Sequence, residues 1–336
     1  MTNKIKTRID YLKRISPYAL KKHIMNFILG LFRYALLICL GFVIITPLLN
    51  TLREAITDQS VLGLKNSVWV PSAVSSQSLV EALYILDYKN GLIYSLLNTA
   101  VIALLQTMCA AFAAYSFARL KFKGSNILFG IVIFTIIVPP QSVMLAQYIT
   151  FRNFDIFNIF QAITGSHLNL IGSPASIYIL AATGMGVKGG LYIYILRQSF
   201  RQFPISIEEA AYVDGAGFLR TFFKIVLPGV SSSLLTVGVL SFVWNYADTY
   251  YMSLLSSNKL HLPLRMVQIQ GNMRWAIQAI ESVMPGNYVV EYESPYVQTA
   301  VANACALLTI LPLIIMYAFV QKRFVQGVER SGLGGD

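Results

Sequence analysis

Side chains able to do chemistry are sparse in this sequence, and three groups of them stand out by type and spacing. The first is Glu208-Glu209-Ala210-Ala211, followed by Asp214-Gly215. Its carboxylates can pair with basic groups, while the alanines let another protein surface approach closely. The second is Lys188, an ammonium within Gly184-Met185-Gly186-Val187-Lys188-Gly189-Gly190, inside an otherwise apolar run. The third is Trp244-Asn245-Tyr246 with Asp248, Tyr250 and Tyr251. Aromatic faces beside an amide suit sugar hydroxyls, and the tyrosines equally suit a membrane interface. No Ser/His/Asp set, HExxH, P-loop or pair of carboxylates within an apolar run is present, so catalysis has no visible apparatus. Cys39, Cys109 and Cys305 sit in apolar runs without a CxxC or a neighbouring histidine, and read as packing residues.

The elements that must position these groups follow from composition. Of 336 residues, 56% are hydrophobic and only 12% charged, against about a quarter charged in a soluble domain. That excludes a disordered chain, a collagen and a disulfide-stapled module. A membrane-crossing helix needs about 20 mostly apolar residues. Six stretches qualify: 28–49, 92–117, 126–149, 176–196, 230–250 and 300–320. The first follows a basic arm, 1–27, and no small-residue cleavage site follows it, so it is no signal peptide. The expected fold is an all-α polytopic membrane protein with six transmembrane helices.

Orientation follows from the bias of lysine and arginine toward the cytoplasmic side. With the N-terminus inside, segments 1–27, 118–125, 197–229 and 321–336 hold 17 Lys/Arg against 6 Asp/Glu. The outer loops 50–91, 150–175 and 251–299 hold 7 against 8. The net charge of +11 therefore lies on one face, which places both termini in the cytoplasm. Nothing here builds the basic groove with stacking aromatics that nucleic-acid binding needs. Ion-coupled carriers usually keep carboxylates at membrane depth; this chain has Lys188 near the middle of the fourth span, Asp248 near the outer end of the fifth, and Arg33 near an end of the first.

The inner segment 197–229 carries local signals of its own. Ser206 followed three residues later by Glu209 forms a capping box and predicts a helix starting at about Ile207. Gly215 suits the left-handed residue that ends it. A second short helix runs from about Phe218 to Val226 and must end before Pro228. A solvated amphipathic connector would look much the same.

The same residues also match a known signature. Glu209-Ala210-Ala211, three residues, Gly215, nine residues, Ile225, one residue and Leu227-Pro228 resemble the EAA loop of binding-protein-dependent ABC importer permeases. The likeness extends from about residue 92 onward. It takes in Ser95, Asn98 and Thr99; Ala113 to Gly124; Pro139-Pro140-Gln141 and Tyr148; Trp244-Asn245; and Gln321 to Gly327 with Phe324. Together these are similar to carbohydrate-importer permeases, specifically to the second permease of the maltose transporter. The arm 1–27 and the loop 251–299 match poorly.

That resemblance implies a cytoplasmic coupling helix between spans four and five. It would use Glu208, Glu209, Ala210, Ala211, Asp214 and Gly215, with Ile225, Leu227 and Pro228 behind it. The tail, through Gln321, Phe324 and Gly327, would also approach the ATPase. The implied organisation is a basic arm 1–27, a six-span transmembrane domain 28–320 and a tail 321–336. The implied protein is a permease subunit, not an enzyme, in a bacterial-type plasma membrane. It would bind no cofactor itself, ATP and Mg residing on the partner ATPase. Partners would be a homologous second permease forming a heterodimer, two ATPase subunits, a solute-binding protein and a carbohydrate, with an oligosaccharide expected. Lys188, Trp244 and Asn245 are candidates for the translocation path; alternatively Lys188 pairs with a carbonyl or with the second permease. Rival readings are an importer for a polyol or glycerophosphate and, from another class, an autonomous channel or secondary carrier.

Overall fold

A computed structural model describes residues 17–63, 70–257, 260–273, 276 and 294–332. Residues 1–16 of the arm, most of 274–293 and the last four residues of the tail lie outside them. The described residues are mostly helical, with two isolated β-bridges, Thr57 with Val74 and Phe154 with Leu168. In chain order the helices are α1 Pro17–Ile56, α2 Gln77–Ile85, α3 Tyr88–Arg119, α4 Ser125–Ile137, α5 Gln141–Arg152, α6 Ile159–Thr164 and α7 Ala175–Ala182. There follow α8 Gly189–Gln202, α9 Ile205–Val213, α10 Phe218–Thr221, α11 Ser231–Ala247, α12 Leu262–Gly271 and α13 Pro295–Gly332.

Among the described residues three helices are long and apolar enough to cross a membrane, or five if two sharply bent pairs each count as one. The expected third span is one such pair: α4 and α5 meet at 105°. Pro139 and Pro140 explain the bend. A residue before proline is pushed out of the helical region, and Val138 has ψ 123. The expected fourth span is not continuous. It divides into α7 and α8, with Gly184 at φ 75 and Lys188 at φ 60 between them. A helix cannot pass through left-handed residues.

Helix α3 is the hub of the packing. It lies against α8 and α11, and also against α7. Helix α13 packs on α1, α2 and α11. Between α3, α8 and α11 the buried side chains are small or aromatic: Ala110, Ala111 and Ala114 let the helices approach, and Tyr115, Tyr192, Phe200 and Phe222 fill the remaining space. Helix α1, by contrast, turns apolar side chains such as Ile38 and Val43 outward. That face suits lipid, or a second membrane subunit, and not water.

Candidate functional site

The short helix α9 projects from the end of the α3–α8–α11 bundle. It begins at Ile205, two residues earlier than its sequence signals predict. Pro204 is the N-cap and makes no side-chain cap bond, and Ser206 lies within the helix. The capping box is therefore not formed. Its Glu209 is exposed, and the neighbouring Glu208 is drawn into a different set of bonds. Gly215 does take the left-handed conformation, at φ 81, with no neighbour close enough to crowd a side chain there. Backbone conformation alone favours glycine at this turn.

Glu208 fixes α9 to the bundle. Its carboxylate accepts a hydrogen bond from Tyr115 Oη at 2.9 Å and an ion-paired bond from Arg119 Nε at 2.7 Å. Arg119 also donates through Nη2 to the Phe203 carbonyl just before α9. Both charges are largely buried, with side-chain exposures of 13% for Arg119 and 5% for Glu208. Ala211 is buried beside them. The outward face of the loop is Glu209, Ala210, Tyr212, Asp214 and Gly215, with Val213 88% exposed. An aliphatic side chain so bare at a rigid corner is suited to enter a pocket on another protein. Under α9 stands an aromatic floor: Tyr115 lies 4.9 Å from Phe222 and 5.5 Å from Phe200, between ring centres.

Beyond α9 the chain does not stop before Pro228. After α10 it forms a π turn, Phe222–Val226, and a last helical turn, Leu227–Gly229. The wider turn accommodates a proline that has no N–H to offer. Ile225 and Leu227 are half-buried and Pro228 is exposed. The chain then bends by 80° into α11. In the tail, Gln321 is exposed and its Nε2 donates to the Ala318 carbonyl. Phe324 packs edge-on against Tyr317, and Gly327 lies on the final turns of α13.

At the other end of α8, Lys188 and Trp244 are brought together. The ammonium lies 5.0 Å from the indole ring centre, within cation–π range. Lys188 makes no carbonyl bond or ion pair among the described residues. Trp244 is exposed and Asn245 is buried, so these neighbours in sequence face opposite ways. Asn245 joins a network that the sequence did not suggest. Its Nδ2 donates to Gln106 Oε1 at 2.8 Å, and Ser241 Oγ donates to the same oxygen. Gln106 Nε2 in turn donates to the Val187 carbonyl at 3.3 Å. A side chain at Gly186 would collide with that Gln106 amide and displace it. Asn98 likewise bonds another helix, accepting from Tyr178 Oη at 2.7 Å. Asp248, just past the end of α11, accepts from the Tyr250 and Tyr251 N–H groups and so caps the start of the next helical turn.

Gln106 is the polar residue that sequence reasoning passed over. A lone glutamine in an apolar run was the available signal, but its partners are 135 and 139 residues away. Tyr115 and Arg119 lay within the quoted stretch Ala113 to Gly124, without a sign of their bond to Glu208. Among the described residues no three His, Cys, Asp or Glu side chains converge as a metal site would require.

Comparison with known proteins supplies the context. A family model described as the inner membrane component of binding-protein-dependent transport systems matches residues 106–330. The chain is 28% identical over 307 residues to the maltodextrin transport system permease protein of Bacillus subtilis (strain 168), spanning 90% of this chain and 95% of that one. It is 26% identical over 304 residues to the melibiose/raffinose/stachyose import permease protein of the same organism, spanning 90% and 94%. Among solved structures it resembles a chain of a bacterial ABC transporter involved in the import of the acidic polysaccharide alginate. The TM-score is 0.61 at 19% identity, covering 89% of this chain and 98% of that one; at this identity the likeness concerns the fold.

Proposed function

The chain belongs to the inner membrane components of binding-protein-dependent transport systems, and from that premise we propose that it is a permease subunit of an ATP-driven carbohydrate importer. The substrate is an oligosaccharide delivered by a solute-binding protein, in keeping with the names of the maltodextrin and melibiose/raffinose/stachyose relatives. The permease pairs with a homologous subunit and rests on two ATPase subunits, which carry the ATP and Mg. It crosses the plasma membrane six times, with the broken stretch 175–202 as the fourth crossing. The arm 1–27 and the tail 321–336 are both cytoplasmic, a placement the charge asymmetry supports.

One observation carries this reading: α9 is bolted to α3 through buried Glu208, while its far side bears the bare Val213 corner. A helix built this way transmits force and does not merely connect. When ATP draws the ATPase subunits together, a push on Glu209, Ala210 and the Val213–Gly215 corner passes through Glu208 to Arg119. Helix α3 carries it onward as a rod. Gln106 lies 13 residues before Arg119 on the same helix, a rise of about 20 Å. There Gln106 holds the Val187 carbonyl beside Lys188 and Trp244, on the proposed translocation path. Such a rigid-body motion switches the subunit between inward- and outward-facing states only if the ATPase binds the two differently. Ile225, Leu227 and Pro228 shape the wide turn that backs α9, and Gln321, Phe324 and Gly327 bring the tail toward the ATPase pair.

The test is co-purification from detergent, followed by an ATPase assay with candidate oligosaccharides and the binding protein. A second permease, an ATPase and stimulated hydrolysis are expected. A lone chain that moves solute across liposomes without ATP would contradict the reading. A binding protein that takes only a polyol or a glycerophosphate would overturn the carbohydrate part alone.

A further inference from the structure

Beside the α9 anchor lies a cleft of about 800 Å³ that the importer mechanism does not use. Its walls are the end of α3, the turn 120–124, the start of α4 and the last turns of α8. Lys121, Lys123, Arg197 and Arg201 line it, together with Arg119, and no carboxylate does. Arg119 has its own partner in Glu208. Arg197 is held in place, its Nε donating to the Phe117 carbonyl at 3.3 Å and its guanidinium lying 3.8 Å from the Phe129 ring centre. Lys121, Lys123 and Arg201 are exposed and have no acidic partner among the described residues.

The cleft has a second anion-attracting feature. Helix α4 starts within it, capped by Gly124 in a left-handed conformation without a side-chain cap. The Ser125 N–H bonds the Phe122 carbonyl, while the remaining first-turn residues, Asn126 and Ile127, and the positive end of the helix dipole border the same space as the basic side chains. Immediately beyond, Phe122, Ile127, Leu128 and Ile131 present bare apolar side chains. A free aqueous anion has no use for that apolar rim, whereas acyl chains do.

We propose that this cleft seats the phosphate headgroup of an anionic phospholipid from the leaflet on the α9 side, its acyl chains lying along α4. Basic pockets between membrane helices are suited to such headgroups. The proposal rests on the reading of the chain as a membrane permease with this end cytoplasmic. Because Arg119 both borders the cleft and holds Glu208, a bound phosphate also bears on how firmly α9 is anchored.

The test uses the assembled transporter, stripped by detergent exchange and then titrated with phosphatidylglycerol or phosphatidylcholine in mixed micelles. Retained lipid is counted by native mass spectrometry. The expected result is saturable retention of phosphatidylglycerol over phosphatidylcholine, weakened at least about tenfold in Lys121→Gln/Lys123→Gln/Arg201→Gln. Lys123→Gln alone, a single exposed change, should show a smaller loss of the same sign. Lys21→Gln/Lys22→Gln removes two exposed charges from α1 outside the cleft and should lose far less. Equal retention in all variants, or equal loss in the α1 control, would overturn the site. Displacement by millimolar inorganic phosphate as effective as by phosphatidylglycerol would assign the cleft to a free anion. Loss of the ATPase subunit from the triple variant with lipid retention intact would assign it to a protein partner. ATP-driven uptake by the unaltered transporter, measured alongside, tells a failure of this site from a failure of the importer reading.

Discussion

The two ends of α8 solve the same problem, holding a polar group inside a helical bundle, with different chemistry. Next to α9 the bond is an ion pair, Arg119 with Glu208, supported by the Tyr115 hydroxyl. At the break between α7 and α8 the bonds are made by a neutral amide, Gln106, to Asn245, Ser241 and the Val187 carbonyl. In the proposed six-span arrangement α9 lies near an aqueous face, where charge is tolerable, and the break lies at membrane depth, where charge is expensive, so each choice suits its place. The two differ in consequence as well. Removing one member of a buried ion pair strands a charge, at about 3–5 kcal/mol. Removing a neutral partner costs about 1–3 kcal/mol for each group left unbonded.

This contrast can be broken by substitution, and the largest effect is expected at the ion pair. Glu208→Ala strands the Arg119 guanidinium and should release α9 from α3 at a cost of about 3–5 kcal/mol. The ATPase subunit should then be lost from pull-downs, and Glu208→Gln should retain part of it. If Glu208→Ala kept a fully coupled transporter, the anchor would not matter. Next comes Gly215→Val, which forces a β-branched residue to φ 81. Strain of about 1–3 kcal/mol should turn the Val213 corner away from its partner. Uptake should fall at least tenfold, corresponding to about 1.4 kcal/mol, and normal coupled uptake would refute the docking role.

The membrane break should respond more mildly. Gln106→Leu leaves Ser241 and Asn245 without their shared acceptor, and should lower the melting temperature of the complex by an amount equivalent to about 1–3 kcal/mol. Assembly with the ATPase should survive. Lys188→Met removes the ammonium over Trp244 and should change the half-saturating substrate concentration of uptake while assembly and melting stay unchanged. Identical uptake kinetics would return Lys188 to a packing role.

The smallest expected effect lies away from both regions, at Glu81 on α2. Burial pushes its carboxyl above the ordinary value of 4.5, partly opposed by hydrogen bonds from Gln77 and Gln59. A carboxyl with a raised folded pKa holds its proton more tightly when folded. Its stabilisation is thus present below pH 4.5 and is lost as pH rises through the raised value. Melting of the complex across that range should show a decline with pH that Glu81→Gln flattens. An unchanged slope in Glu81→Gln would place the titration elsewhere.

What the sequence made legible follows the range of the forces involved. The long helices α1, α3 and α13 declare themselves by sustained apolar runs, because membrane burial is a property of the segment. Gly215 was readable because a left-handed turn is a local demand. The capping box failed because Glu208 and Glu209 compete in register, and the tertiary bond from Glu208 to Arg119, 89 residues away, overrode the local one. The division of 176–196 was half visible in its glycines, but the left-handed Lys188 was not, since nothing local favours a lysine there. Gln106 was hidden for the same reason as Glu208: its bonds are entirely long-range. The pairing of Lys188 with Trp244 joins two residues singled out separately, with no local signal that they meet.

The most direct test of the account is a cross-link from the bare corner of α9. Val213→Cys, in the assembled transporter, should react with a short thiol cross-linker and join this chain to the ATPase subunit. Adding ATP should change the yield. Cross-links to the ATPase, abolished by Glu208→Ala, are the predicted result. A complex that transports with ATP but joins Val213→Cys to no ATPase subunit in any nucleotide state would contradict it.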